Sequence, residues 1–173
     1  MGEVILRAAT EADIPALSRL GIDSFVAKFG HLYTAENLNA FLEDTHSEAA
    51  VAAEMANPDR LYRLAERDGT LLAYCKMGLK CGFPDHVRGA NAIELKQLYT
   101  APDAIGGGIG GKLMDWAFSV AAERQADEMQ LSVWSENDGA QKFYARYGFE
   151  KVADIYFMVG DHRDDEFLFA RML

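Results

Sequence analysis

Five glycines fall within six residues, 106–111, broken only by Ile109. Such a run lets backbone N–H groups approach a ligand with no Cβ in the way. Residues 92–100 ahead of it read as a strand. Its alternation predicts Ile93, Leu95 and Gln97 on one side and Glu94, Lys96 and Leu98 on the other. Pro102 ends the strand, because proline cannot donate to a ladder. A helix begins at about Gly108, with Ile109, Leu113, Trp116, Ala117 and Val120 as its apolar face. Its first turn offers unpaired N–H donors and the positive end of the dipole. Loop and helix start together make an anion site, best suited to phosphate.

Two nucleotide patterns overlay these glycines, and both fail. Gly106-x-Gly108-x-x-Gly111 matches a dinucleotide fingerprint, but residues 101–105 separate it from the strand and no second βαβ unit follows. Gly106-x-x-x-x-Gly111-Lys112 matches the front of a P-loop, but Leu113 stands where Ser or Thr would hold magnesium. A glycine turn with no ligand would carry a large entropic cost for no purpose.

The remaining reading is a coenzyme A pyrophosphate cradle. Leu98-Tyr99-Thr100-Ala101-Pro102, Gly108-Ile109-Gly110 and Leu113-Met114 resemble the acetyl-CoA motif of the GNAT acyltransferase superfamily. Ile105 and Gly106 stand where that motif carries Arg or Gln and often a basic residue, which leaves the backbone to hold the pyrophosphate. Downstream, Asn137-x-x-Ala140-x-x-Phe143-Tyr144-x-x-x-Gly148-Phe149 matches the superfamily's second motif at every named position. Residues 157–169 and 33–38 resemble the branch of bacterial spermidine/spermine and related small-amine acetyltransferases.

The resemblance implies an α/β fold with a mixed, mostly antiparallel central sheet flanked by helices. A splayed strand pair would form the acetyl-CoA site. Cofactor contacts would come from Leu98, Tyr99 and Thr100, from Ile105, Gly106, Gly107, Gly108, Ile109, Gly110, Gly111 and Lys112, and from Asn137, Ala140, Phe143 and Tyr144. The implied reaction is direct attack of a primary amine on the thioester, with no acetyl-enzyme intermediate and no metal. Tyr144 would protonate the leaving thiolate, since a phenol holds its proton at neutral pH, or serve only as a packing aromatic beside Phe143. Glu94 is the candidate base, with Glu136 as its rival; each could equally be a solvated or salt-bridged carboxylate. Phe25, Tyr33 and Trp134 would line the acceptor pocket, or serve as core aromatics. The acceptor is read as a polyamine or other small amine. A peptide N-terminus, another acyl donor, and a CoA-binding sensor without catalysis are the alternatives. The resemblance is compatible with a homodimer.

These residues must be positioned by the rest of one 173-residue domain, 1–173. Half the residues are hydrophobic and a quarter charged, ordinary for a globular protein. A net charge of -10 disfavours nucleic-acid binding and suits a cationic acceptor, or equally plain solubility. No signal peptide or transmembrane run is visible. Cys75 and Cys81 lie six apart around one predicted strand, and extended chain would hold them roughly 20 Å apart, too far to bridge, which implies a cytoplasmic protein with reduced thiols. No His/Cys cluster has metal spacing. His31, His86 and His162 read as surface residues.

Upstream, residues 4–7 read as a strand. Thr10 with Asp13 starts a helix toward Phe25, with Pro15 in its first turn. Thr34 with Asn37 starts a second helix, with Leu38, Phe41 and Leu42 facing inward. Ser47-Glu48 opens a third that stops before Pro58. Strands at 61–66 and 71–79 flank an Asp68-Gly69 hairpin turn, and 82–91 is a loop. A strand at 129–134, the helix after Asn137 ending at Gly148, a strand from Phe149, and a terminal hairpin with a polar tip complete the chain.

Overall fold

The computed structural model describes residues 2–173; Met1, the first residue of the expected domain, lies outside the described residues. The chain runs β1 (Ile5–Ala8), α1 (Ile14–Phe29), α2 (Ala35–His46), α3 (Glu48–Ala56), β2 (Arg60–Arg67), β3 (Thr70–Gly78) and β4 (Ala92–Thr100). It continues through α4 (Ile109–Glu123), β5 (Glu128–Trp134), α5 (Asp138–Arg146), β6 (Glu150–Val159) and β7 (His162–Met172). The seven strands form one sheet in the order β1-β2-β3-β4-β5-β7-β6. Every neighbouring pair is antiparallel except β4 and β5. This is the mixed, mostly antiparallel sheet flanked by helices that the sequence led us to expect.

Local chemistry explains the element boundaries. The Asp13 carboxylate accepts the Thr10 amide at 2.8 Å ahead of α1. Thr34 Oγ1 accepts the Asn37 amide at 3.2 Å, and Ser47 Oγ accepts the Ala50 amide at 3.1 Å. Each satisfies an amide that a helix start leaves without a partner. Asp68 and Gly69 take φ of 51° and 79°, and two consecutive positive φ angles match the twist of a two-residue hairpin.

Helix α4 lays Ile109, Leu113, Met114, Ala117, Val120 and Ala121 against one face of the sheet. Trp116, expected within that face, sits at its margin with the Arg63 guanidinium 5.2 Å above its ring. The core here includes Cys75, Ile93, Leu95, Met129 and Leu131 from the sheet, with Tyr144 and Phe149 beside them. On the other face Leu17, Leu20 and Val51 from α1 and α3 meet Leu64 and Tyr74. Cys75 and Cys81 are free thiols. Among the described residues no helix is long and apolar enough to cross a membrane.

Two irregularities shape the site. First, β4 and β5 pair only through Ala92–Glu128, Ile93–Met129 and Glu94–Gln130. Beyond these, β4 continues beside β3 to Thr100 and β5 beside β7 to Trp134. The two strands therefore part, as the resemblance implied. Second, Lys76 pairs with Gln97 but Met77 pairs with Leu95, so Lys96 is an extra residue in a β-bulge. The bulge corrects the simple alternation expected for this strand. Leu98 joins Ile93 and Leu95 on the α4 side, and Gln97 turns to the other face, where it accepts the Tyr74 hydroxyl at 2.8 Å.

Candidate active site

Where β4 and β5 part, a cleft of about 610 Å³ opens between their edges. Leu98 and Tyr99 of β4 and Val133 and Trp134 of β5 flank it. Ala140 and Tyr144 of α5 line one side, and Phe25 and Phe41 the other. Past Glu94 the edge of β4 that faces the cleft has no ladder partner on β5. Its amides and carbonyls can therefore bond an amide-bearing ligand arm, as a short extra strand would.

Tyr144 is placed by a helix bracketed at both ends. Asn137 Oδ1 accepts the Ala140 amide at 3.1 Å. Gly148 ends the helix at φ 85°, and the Phe149 amide returns to the Tyr144 carbonyl at 3.2 Å. The Tyr144 ring lies edge-on to Phe143 at 5.2 Å. It is only 9% exposed, and burial pushes its phenol well above the usual range. A phenol so placed keeps its proton at neutral pH and can donate it into the cleft.

The glycine loop lies beside the cleft. Gly106 and Gly108 take φ of 90° and 78°, a left-handed backbone that L side chains rarely adopt. Gly108 is the N-cap of α4 and brings no side chain to bond the first-turn amides. A Cβ on Gly106 or Gly108 would meet nothing within 4 Å, so the space above the loop is open. Gly110 and Gly111 face the other way, and a Cβ there would lie 3.4 Å from Phe143 and 3.1 Å from the Tyr147 hydroxyl. The glycine loop and the start of α4 are thus seated directly against the helix that carries Tyr144. Ile105 is 61% exposed and has no polar group to offer an anion.

Of the expected cofactor residues, the cleft brings together Leu98, Tyr99, Asn137, Ala140 and Tyr144. Ile105, Gly106, Gly107, Gly108 and Lys112 are exposed, Gly110, Gly111 and Phe143 half-buried, and Ile109 is buried in the core beneath α4. Thr100 lies outside the lining, and its carbonyl accepts the Ser24 hydroxyl at 3.4 Å. Uncapped amides, an open strand edge and a buried phenol in sequence fit a phosphate-bearing thioester such as acetyl-CoA.

Of the expected acceptor residues, Phe25 and Trp134 line the cleft and Tyr33 does not. Tyr33 stands behind the wall, stacked on Phe25 with ring centroids 5.8 Å apart. Its hydroxyl donates to Asp164, whose other oxygen lies 3.1 Å from His162 Nε2. Glu94 lines the cleft and is 5% exposed. One oxygen accepts the Gly82 amide at 2.6 Å, and the other lies 3.3 Å from Lys96 Nζ. Glu136 is exposed and outside the lining, as are His31 and His86.

Three cleft-side groups escaped the sequence reading. His46 is buried against Phe25, Phe41 and Tyr99, and burial pushes it down to about 4, so it is neutral at physiological pH. Asp164 and Glu166 line the cleft from β7. The polar stretch read as a hairpin tip turns at Gly160-Asp161 and then becomes strand. The i, i+2 spacing of Asp164, Glu166 and Leu168 was the available signal, because alternate residues share a face. Among the described residues no group of three or more His, Cys, Asp or Glu could hold a metal ion.

The sequence matches the acetyltransferase (GNAT) family over residues 26–149. An uncharacterized N-acetyltransferase of Lactobacillus delbrueckii subsp. lactis is 27% identical over 164 residues, which cover 95% of this chain and 94% of that one. An aminoalkylphosphonate N-acetyltransferase of Salmonella typhimurium is 31% identical over 101 residues, 58% of this chain and 63% of that one. The fold is similar to that of the paiA N-acetyltransferase of Thermoplasma acidophilum in complex with coenzyme A. The TM-score is 0.77 at 20% identity, over 99% of both chains. The family match spans the splayed strand, the glycine loop and the Tyr144 helix alike, and the chain belongs to the GNAT acetyltransferase family as an acetyl-CoA-dependent N-acetyltransferase.

Proposed function

We propose that the acceptor is the primary amine of a small cationic molecule, with polyamines and diamines as the favoured class. The observation that carries this reading is the composition of the cleft. The aromatic rings of Phe25, Phe29, Phe41 and Trp134 share its wall with the carboxylates Glu94, Asp164 and Glu166. Aromatic faces and carboxylates both attract ammonium groups, and the rings also cover an apolar stem. The acceptor end is also narrowed. Asn37 Nδ2 donates to Asp161 at 2.5 Å and Tyr33 bonds Asp164, so the first turn of α2 and Tyr33 ahead of it are tied to the β6–β7 hairpin. That tie favours a slender acceptor over a protein N-terminus. The Salmonella relative, named for an aminoalkylphosphonate, supports a small acceptor as well.

In this reading the amides of the glycine loop hold the pyrophosphate, and the open edge of β4 near Leu98 holds the pantetheine arm. A backbone N–H there polarises the thioester carbonyl, an electrostatic contribution of the oxyanion type. Asn137 contacts the cofactor near the start of α5. The amine attacks directly, and Tyr144 protonates the leaving thiolate. Glu94, the base that the sequence suggests, has both oxygens engaged by Gly82 and Lys96, which suits it to fixing the floor of the cleft.

Initial rates of thiol release from acetyl-CoA test the acceptor class. The panel holds spermidine, spermine, diamines, aminoglycosides, amino acids and short peptides. Turnover concentrated among diamines and polyamines is expected. Turnover confined to peptides would refute the small-amine reading.

A further inference from the structure

We propose that Glu166 is the proton acceptor of the reaction, taking the ammonium proton of the incoming amine at the open edge of β4. The inference rests on the acetyl-transfer reading above and assigns it a residue that neither motif contains.

Register places Glu166 at the reacting level. On the parallel pair Glu94 lies opposite Gln130, at the closed end of the cleft. On the next pair Trp134 lies opposite Glu166. Gln130 and Trp134 are four residues apart, about 13 Å along a strand. With Lys96 an extra residue in the bulge, the same distance along β4 from Glu94 reaches Tyr99, just past Leu98, where the edge is free. Glu166 therefore faces the Leu98–Tyr99 end of the open edge across the gap, whereas Glu94 sits at its base.

The face is right as well. Phe167 and Phe169 of β7 point into the core under α4, so the alternate residues Asp164 and Glu166 point to the opposite face, where both line the cleft. The charge of Glu166 acts on Tyr99, on the far bank of the cleft, and on Tyr33.

Availability then separates the three cleft carboxylates. Glu94 is engaged by Gly82 and Lys96, and Asp164 by Tyr33 and His162. The Glu166 side chain has no hydrogen bond or ion pair among the described residues. The titratable groups around it are Asp164 on its own strand, Tyr33 before α2 and Tyr99 on β4, with Lys28, Lys76, Glu94, Lys96 and Tyr144 elsewhere on the lining. Burial, reinforced by Asp164, pushes Glu166 up to about 7, a value suited to a base working near neutral pH.

The protons balance. Glu166 takes one proton from the ammonium, freeing the nitrogen lone pair. The N–C bond forms as the C–S bond breaks, and Tyr144 gives its proton to the departing sulfur. The Tyr144 phenolate recovers a proton from the acylated nitrogen, and Glu166 releases its own to solvent. The net products are the amide, the thiol and one proton.

The test is kcat/KM for spermidine between pH 5.5 and 9.5 in the wild type and in Glu166→Gln, Glu166→Asp and Glu94→Gln. CoA affinity by calorimetry is the folding control. The wild type is expected to rise along a limb centred near 7, and Glu166→Gln to lose that limb and about 100-fold in rate at pH 7. The Gln variant should bind CoA normally, Glu166→Asp should restore part of the limb, and Glu94→Gln should keep it. An unchanged profile in Glu166→Gln, or loss of the limb in Glu94→Gln alone, overturns the assignment and leaves the acetyl-transfer reading standing. Absence of wild-type turnover with every amine of the panel overturns both.

Discussion

Tyr144 and Glu166 present opposite consequences of burial. Removing either from water disfavours its charged form, so the phenol stays protonated and the carboxyl is easier to protonate. Tyr144→Phe should lower kcat by roughly 100- to 10,000-fold and leave CoA affinity nearly unchanged. Full activity across the pH range would remove its role as acid. Glu166 also carries a stability signature. Its folded value lies above the ordinary carboxylate range, so the native state loses stability as pH rises from that range to about 7, and the penalty is complete above it. Glu166→Gln should therefore raise Tm at pH 8.5 and change it little at pH 4, which thermal unfolding at the two values would check. Tyr144 was legible because it sits within a contiguous motif whose caps, Asn137 and Gly148, are readable side by side. Glu166 was not, because its place depends on β7 pairing with β5 and on β5 parting from β4. Both are long-range registers with no local signal.

At the level of elements, local chemistry was readable and interruptions of it were not. Asp68-Gly69, the Thr34 and Ser47 caps, and the apolar stripe of α4 each follow from a few adjacent residues. The bulge at Lys96 does not, since an extra residue in a ladder is defined only by the partner strand, and it exchanged the faces of Gln97 and Leu98. The glycine loop gives a prediction of this order. Gly108→Val forces a branched residue to adopt a φ of 78°, at a cost of about 1–2 kcal/mol. It also places methyl groups over the first amides of α4. Calorimetry should find weaker CoA binding, alongside a lower Tm; unchanged affinity would mean that the loop is not the phosphate cradle. Asn137→Ala should cost about 1 kcal/mol through loss of the α5 cap.

The whole molecule carries a net charge of -10, a field that attracts a polycationic acceptor over distances comparable to the Debye length. For spermidine, kcat/KM should fall as salt rises, mainly through KM; a salt-independent value would argue for a neutral acceptor. Acid stability has a separate origin, near β1. Hydrogen bonds from Arg7, with burial opposing them, hold Asp13 down to about 2, with Arg7 also 3.0 Å from Glu66. Because that value is depressed, the stabilisation is complete above the ordinary carboxylate range and is lost as pH falls toward 2. The Tm difference between wild type and Asp13→Asn should therefore be largest near pH 6 and shrink toward pH 2. The measurement that bears hardest on the account is a crystal structure of the chain with coenzyme A. The account predicts the pyrophosphate on the amides of residues 106–111, the pantetheine arm along the open edge of β4, and the sulfur beside Tyr144. Coenzyme A bound elsewhere, or a sulfur turned away from Tyr144 and the Leu98 level, would contradict it.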